Sequence, residues 1–342
     1  GCTTRAVSAP VVEEAVIESV RRFAAQPEVI EAIARAARQR LAGGPIRTPL
    51  VRLNVPDAPA EIYLKLENLQ PVGSFKLRGA GNAMLAAPPQ ALQKGVWTAS
   101  TGNMAQSVAW YARRLGIPCT VVGPDTTSDM KVQAVERLGA RFIKLPWEVY
   151  FQAQKTWQME GMEGLFIHPF ADPDVIAGNA TIALEILEDL PDVEAIVVSY
   201  GGGGLSCGIG SVLRALRPDV RLIAAEVETG APLTPSLAAG RMVQVPHTPS
   251  FVDAIGSPAV FPQMWPVVQQ VVSAACVVSL RQIASAIALL AERNHIIAEG
   301  AGAIPAAAAL AGHAGRGKVV CVISGGNLPM EKLQRILAGE IP

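Results

Sequence analysis

Apolar residues recur at helical spacing over Val11–Ala25 and again over Val29–Leu41, a pattern broken at Pro27 and closed by Gly43-Gly44-Pro45. The chain is therefore predicted to begin with two short helices. From Glu61 to Glu67 (EIYLKLE) apolar and polar positions alternate instead, which is the period of a strand. From Val96 onward, short β-rich runs alternate with helical segments. The runs are VWTAS (96–100), CTVVG (119–123), RFIKL (141–145), AIVVSY (195–200), RLIAAEVE (221–228) and KVVCVIS (318–324). This alternation predicts the α/β class, with parallel sheets carrying helices on both faces. Runs as continuous as AIVV and VVCVI suit strands covered on both sides. No internal repeat, low-complexity tract or linker interrupts the pattern.

Composition narrows the possibilities. With 342 residues, 50% hydrophobic and 17% charged, the chain can bury a large core, as two lobes or as one large domain with an insertion. The formal net charge is zero, which leaves no electrostatic footprint for nucleic acid or an anionic membrane and points to small-molecule partners. No stretch is long and apolar enough to span a bilayer, and residues 1–10, which lack the order of a signal peptide, are left out of the fold reading as a processed or added tail. Five scattered cysteines, mostly within apolar runs, are expected to be reduced thiols of a cytoplasmic protein. They show no metal-ligand spacing, and no metal is expected.

In an open α/β sheet ligands bind beyond the carboxyl ends of the strands, so the turns there carry the candidate chemistry. Pro71-Val72-Gly73-Ser74-Phe75-Lys76-Leu77-Arg78-Gly79-Ala80 follows the EIYLKLE strand. Gly73-Ser74 is predicted as turn and N-cap, with Lys76 in the first helical turn. There the helix dipole disfavours the charged ammonium and keeps the amine nucleophilic. The plain alternative is a solvated surface lysine. After VWTAS comes Ser100-Thr101-Gly102-Asn103-Met104, whose amides can receive a carboxylate or simply start a helix. After AIVVSY come Gly201-Gly202-Gly203-Gly204-Leu205. Four glycines in a row lose much entropy on folding, yet they let several N–H groups converge on a phosphate. The loop fits neither a Walker motif nor a dinucleotide fingerprint, so a non-nucleotide phosphate is the better reading and a hinge the alternative. Ser324-Gly325-Gly326-Asn327 and Glu299-Gly300-Ala301-Gly302-Ala303 are weaker signals of the same kind.

Taken together, these motifs resemble fold type II pyridoxal-phosphate enzymes, and within them the threonine/serine dehydratase and serine racemase family, from about Val29 to Leu337. The resemblance implies a tryptophan synthase β-like fold of two lobes, each a mainly parallel twisted sheet flanked by helices. Residues 1–91 and 166–342 would form the large cofactor-binding domain and 92–165 the small substrate-loop domain. It implies pyridoxal 5'-phosphate as cofactor, Lys76 as its Schiff-base lysine and catalytic base, and Phe75 packed beside it. Asn103 would face the ring oxygen, Gly201, Gly202, Gly203, Gly204 and Leu205 the phosphate, Ser324 the pyridine nitrogen, with Glu299 near the ring. Ser100, Thr101, Gly102, Asn103 and Met104 would hold the substrate carboxylate, with Thr101 also a catalytic candidate. The implied activity is α-proton abstraction and β-elimination from a 3-hydroxy amino acid, giving a 2-oxo acid and ammonia, in a cytoplasmic homodimer. A neutral serine at the pyridine nitrogen leaves the ring a weaker electron sink, which favours elimination over transamination.

The chain departs from the family pattern in several places. Met104 stands where histidine is usual, and Asn179-Ala180 where Gln-Gly is usual, which opens the alternative of a bulkier substrate such as 3-phenylserine. Thr101 stands where racemases use serine, so an amino acid racemase is a second alternative; a non-catalytic phosphate-ligand binding protein on the same fold is a third. Glu226 and Glu228 occupy the family's metal region but lack the later carboxylate, against a divalent cation, and Glu228 reads equally as a solvated loop charge. His168 is expected to be structural, and His247, His295 and His313 to sit at the surface or in packing. Only a short helix follows the Ser324–Asn327 segment, so no C-terminal effector domain is expected.

Overall fold

The computed structural model describes residues 27–342; the helix predicted at Val11–Ala25 lies outside the described residues, as does Cys2. The helices are α1 (Pro27–Arg40), α2 (Lys76–Ala86), α3 (Pro89–Leu92), α4 (Asn103–Leu115), α5 (Asp129–Glu136), α6 (Trp147–Thr156), α7 (Pro173–Asp189), α8 (Gly204–Leu216), α9 (Leu233–Ala239), α10 (Trp265–Val271), α11 (Leu280–Asn294), α12 (Gly300–Leu310) and α13 (Met330–Leu337). The strands are β1 (Leu50–Arg52), β2 (Glu61–Lys65), β3 (Val96–Ala99), β4 (Cys119–Pro124), β5 (Arg141–Leu145), β6 (Leu165–Phe166), β7 (Ala195–Ser199), β8 (Arg221–Val227), β9 (Ala274–Val278) and β10 (Lys318–Val322).

The strands build a six-stranded sheet in the order β1-β2-β10-β7-β8-β9 and a four-stranded sheet in the order β5-β4-β3-β6. Every pairing is parallel except β1 with β2, as the strand–helix alternation predicts. The four-stranded sheet is formed wholly by chain lying between β2 and β7. Each residue of β7 is buried, and alternate side chains go to opposite faces. Ile196 and Val198, with Leu222, Ala224 and Val320, join the core under α1, α7, α8 and α10. Ala195 and Val197, with Ile223, Ala225, Val319 and Cys321, join the core under α11, α12 and α13. Hence the unbroken apolar runs: both faces are covered. Burial of this kind contributes about 25 cal/mol per Å² of apolar surface. The four described cysteines are buried free thiols.

Two details differ from the sequence reading. Helix α2 starts at Lys76 with Phe75 as its N-cap and no side-chain cap bond, so Ser74 is not the cap; its Oγ still accepts from the Lys76 amide at 3.3 Å. The EIYLKLE strand stops at Lys65 because Glu67–Leu69 turns into a 3₁₀ helix.

Candidate active site

Lys76 is the first residue of α2, so Phe75 and the turn before it decide where its side chain goes. The Phe75 amide donates to Ser324 O at 3.0 Å, which ties the lysine's turn to the carboxyl end of β10. The Nζ atom lies 5.2 Å from the Phe75 ring centroid and donates to the Pro169 carbonyl at 2.5 Å. Burial lowers the Lys76 pKa from 10.5 to about 8, with Glu299 pulling partly the other way. Desolvation thus makes the amine available, at the helix start where the sequence placed it.

The glycine loop follows β7 and runs into α8, whose first intrahelical bond is Cys207 N to Gly203 O at 2.8 Å. The amides of Gly204, Leu205 and Ser206 precede that bond and have no partner within the helix. Gly203 has φ +89, and a Cβ on Gly202 would lie 2.4 Å from the Phe170 ring, so neither position accepts a side chain without a shift.

Across from the loop, three distant segments form one chain of hydrogen bonds. Asn103 Nδ2 donates to Glu299 Oε1 at 2.7 Å, and Asn327 Nδ2 donates to Asn103 Oδ1 at 2.8 Å and to Val72 O at 2.9 Å. Burial raises the Glu299 pKa from 4.5 to about 7, against the bond from Asn103. Ser324, 2% exposed, stands beyond the end of β10, its Oγ 3.3 Å from Ser199 Oγ. Thr101 lays its methyl against Gly123 of β4, where a Cβ would fall 2.7 Å from Thr101 Cγ2.

The residues that the sequence offered as catalytic, cofactor-binding and substrate-binding candidates all line one cavity of about 570 Å³: Phe75, Lys76, Ser100 to Met104, Gly201 to Leu205, Glu299 and Ser324. Several others lie beside them that the sequence reading missed. Ser199 ends β7 and could have been noticed; Asn327 belongs to the Ser324–Asn327 turn already read as a weak signal, without a role of its own. Pro169 and Phe170 follow His168 in a segment the resemblance marks as typical of the family, though with no role at the site, and Tyr150 and the ion pair of Lys131 with Asp253 at 2.9 Å carried no local signal.

A search of family patterns matches the family described as "Pyridoxal-phosphate dependent enzyme" over residues 41–325. The chain belongs to this family. Within it the chain is a pyridoxal-phosphate-dependent lyase of the threonine/serine dehydratase group, with fold type II architecture. It is 42% identical over 281 residues to an L-threonine ammonia-lyase of Geobacter sulfurreducens, an alignment spanning 81% of this chain and 69% of that protein. Among solved structures it is similar to maize serine racemase, with TM-score 0.81, 31% identity and coverage of 90% and 96% of the two chains. It is also similar to the processed form of threonine deaminase isoform 2 from Solanum lycopersicum, with TM-score 0.80, 29% identity and coverage of 91% and 89%. Pyridoxal 5'-phosphate is the cofactor of this pyridoxal-phosphate-dependent enzyme. The donor set fits it: a half-buried amine, the start of a helix with free amides for a phosphate, and an uncharged hydroxyl at a strand end open into one cavity.

The positions that depart from the family pattern fall in different surroundings. Met104 is 1% exposed and lines the cavity. Asn179 is fully buried in α7, away from the cavity, and both its amide atoms lack a partner. Glu226 accepts from the Leu233 amide at 2.7 Å and from the Thr234 amide and hydroxyl at 2.7 and 2.6 Å. Glu228 accepts from the Leu280 amide at 2.7 Å, so it caps α11 rather than being a wholly solvated charge.

Proposed function

We propose that this lyase is a dehydratase of 3-hydroxy amino acids, with L-threonine and L-serine as the first candidates, releasing a 2-oxo acid and ammonia. The observation that carries the reading is the placement of the Lys76 amine in one cavity with the Gly201–Gly204 loop and the Ser100–Met104 turn. In this reading Lys76 holds the cofactor, the amides at the start of α8 take its phosphate, Ser324 meets its ring nitrogen as a hydroxyl donor, and Asn103 meets its ring oxygen. When bound, the cofactor withdraws electrons from the substrate Cα and so weakens the α C–H bond.

The remaining steps belong to side chains of this chain. The amides of Thr101 to Met104 receive the substrate carboxylate at the start of α4. Lys76, with a pKa near 8, takes the α-proton on Nζ, and the Pro169 carbonyl 2.5 Å away orients the ammonium so formed. The β-hydroxyl leaves as water with the proton that Lys76 Nζ has taken up, which returns the amine to its neutral form, and the enamine released hydrolyses to the 2-oxo acid and ammonia. The chain segment 92–165, which supplies the substrate-carboxylate turn, acts in this reading as the small domain against the large one formed by the rest.

A second reading, a bulkier substrate such as 3-phenylserine, is favoured by Met104, which puts a soft apolar side chain in the cavity wall where the family has histidine. One experiment separates these: a panel of 3-hydroxy amino acids is assayed for 2-oxo acid and ammonia, with chiral analysis of unreacted substrate to expose racemisation. Turnover of threonine or serine supports the leading reading, turnover of 3-phenylserine alone supports the second, and racemisation without elimination would overturn both. Lys76→Ala is expected to lose both the cofactor's visible absorbance and turnover.

A further inference from the structure

The turn between β6 and α7 is held by a side chain that the reaction above does not use. His168 is 1% exposed, and its Nδ1 accepts the backbone N–H groups of Phe170 at 3.2 Å and Ala171 at 2.9 Å. With Nδ1 accepting, the ring is neutral and carries its proton on Nε2. Burial first, then the nearby Lys76 charge, press its pKa down to about 3. It stays an acceptor at any ordinary pH.

Both residues folded around this ring reach the cavity. Pro169 gives its carbonyl to Lys76 Nζ at 2.5 Å. Phe170 stands edge-on to His168, with ring centroids 4.5 Å apart, and backs the glycine loop: a Cβ on Gly202 would fall 2.4 Å from its ring, and one on Gly204 2.7 Å from its carbonyl oxygen. One imidazole therefore fixes the backbone that aims at the lysine and the wall behind the phosphate loop.

We propose that His168 is a positioning residue: by pinning the Pro169–Ala171 turn through Nδ1, it keeps Lys76 and the Gly201–Gly204 loop at the spacing that one cofactor molecule must bridge. The proposal rests on the reading of Lys76 and that loop as the cofactor's two anchors. A ring that only filled space could be replaced by any side chain of like volume; an acceptor could not, since the Phe170 and Ala171 amides would be left buried and unpaired.

The two accounts part in a pair of variants. His168→Leu keeps most of the volume and loses the acceptor, whereas His168→Asn loses volume and keeps an oxygen close to the position of Nδ1. Binding of pyridoxal phosphate to the cofactor-free protein is measured by equilibrium dialysis, beside the thermal midpoint. The leucine variant is expected to bind about tenfold or more weakly, since the two amides that Nδ1 accepts lose their partner. The asparagine variant is expected to stay within about threefold of the native value even where its midpoint is lower. Native-like binding by His168→Leu, or an equal loss in both, would overturn the proposal. Where the leucine variant does not fold, His168→Ala is compared with His168→Asn in the same way. Lys76→Ala is run alongside and is expected to lose at least about tenfold in affinity. If it binds as tightly as the native protein, the anchor reading itself fails; if it weakens while His168→Leu does not, only the role of His168 fails.

Discussion

The charge of Glu299 bears on Lys76 across the cavity. Burial lifts Glu299 to about 7 and lowers Lys76 to about 8, and the Glu299 charge pulls Lys76 back up. A carboxyl whose folded pKa is raised from 4.5 holds a proton in the native state that the unfolded chain has lost. Its stabilising contribution is complete below its unfolded value and disappears as pH rises through the folded one. Glu299→Gln removes that loss while its amide oxygen can still accept from Asn103. The variant is expected to be more stable than the native protein by up to about 3 kcal/mol near pH 8, and no more stable near pH 4. Urea denaturation of the cofactor-free proteins at the two pH values measures this; a difference independent of pH would count against it. The same change deprives Lys76 of the charge that raises its pKa, so uptake of pyridoxal phosphate should reach its half-maximal rate at lower pH.

At the level of elements, what the sequence revealed follows from what each element buries. The strands inside the sheets, β2, β3, β4, β7, β8 and β10, were legible as alternating or continuous apolar runs. The three that were not, β1, β6 and β9, all lie at sheet edges, where one side lacks a partner strand and the apolar signal is weak; of the edge strands only β5, with its alternating RFIKL run, was legible. The site was legible for a related reason: the Ser100–Met104, Gly201–Leu205 and Ser324 turns sit directly after β3, β7 and β10, and their motifs are local. Contacts such as Asn103 with Glu299, 196 residues apart, or His168 under the glycine loop carry no local signal. Neither does the environment of Glu226. Its two carboxylate oxygens already accept three hydrogen bonds from Leu233 and Thr234 at the start of α9, where a cation would otherwise have to supply the positive partner. Dialysis against a chelator is therefore expected to leave turnover unchanged and the thermal midpoint within about 1 °C. A fall in either that magnesium or calcium restores would show that a cation displaces the amides.

The whole molecule is joined behind the active site by a buried network of charges. Arg78, two residues along α2 from Lys76, grips Glu67 through Nε and Nη2, both at 2.8 Å, and Glu185 of α7 through Nη1 at 2.6 Å. Lys65 of β2 completes it, donating to Glu185 Oε2 at 2.6 Å and to the Thr48 carbonyl at 2.7 Å. Two cations face two carboxylates, so the cluster is neutral, and it locks a strand of the six-stranded sheet to the helix that carries the lysine. Burial alone would raise the Glu67 pKa, yet Arg78, the Thr48 hydroxyl and Lys65 together outweigh it and hold the carboxyl below its ordinary 4.5. With the folded value depressed, its contribution is present above the unfolded pKa and is lost as pH falls through the folded one. Arg78→Met leaves Glu67 buried without its bidentate partner, which is expected to cost about 3–5 kcal/mol near neutral pH. In the variant desolvation then dominates and the Glu67 pKa rises above the ordinary value, so it can take up a proton as pH falls. The deficit relative to the native protein should therefore shrink between about pH 7 and pH 5. Denaturation at both pH values decides this: a deficit of constant size would place the cost in lost packing of the arginine stem, and a shrinking one in the unpaired carboxylate.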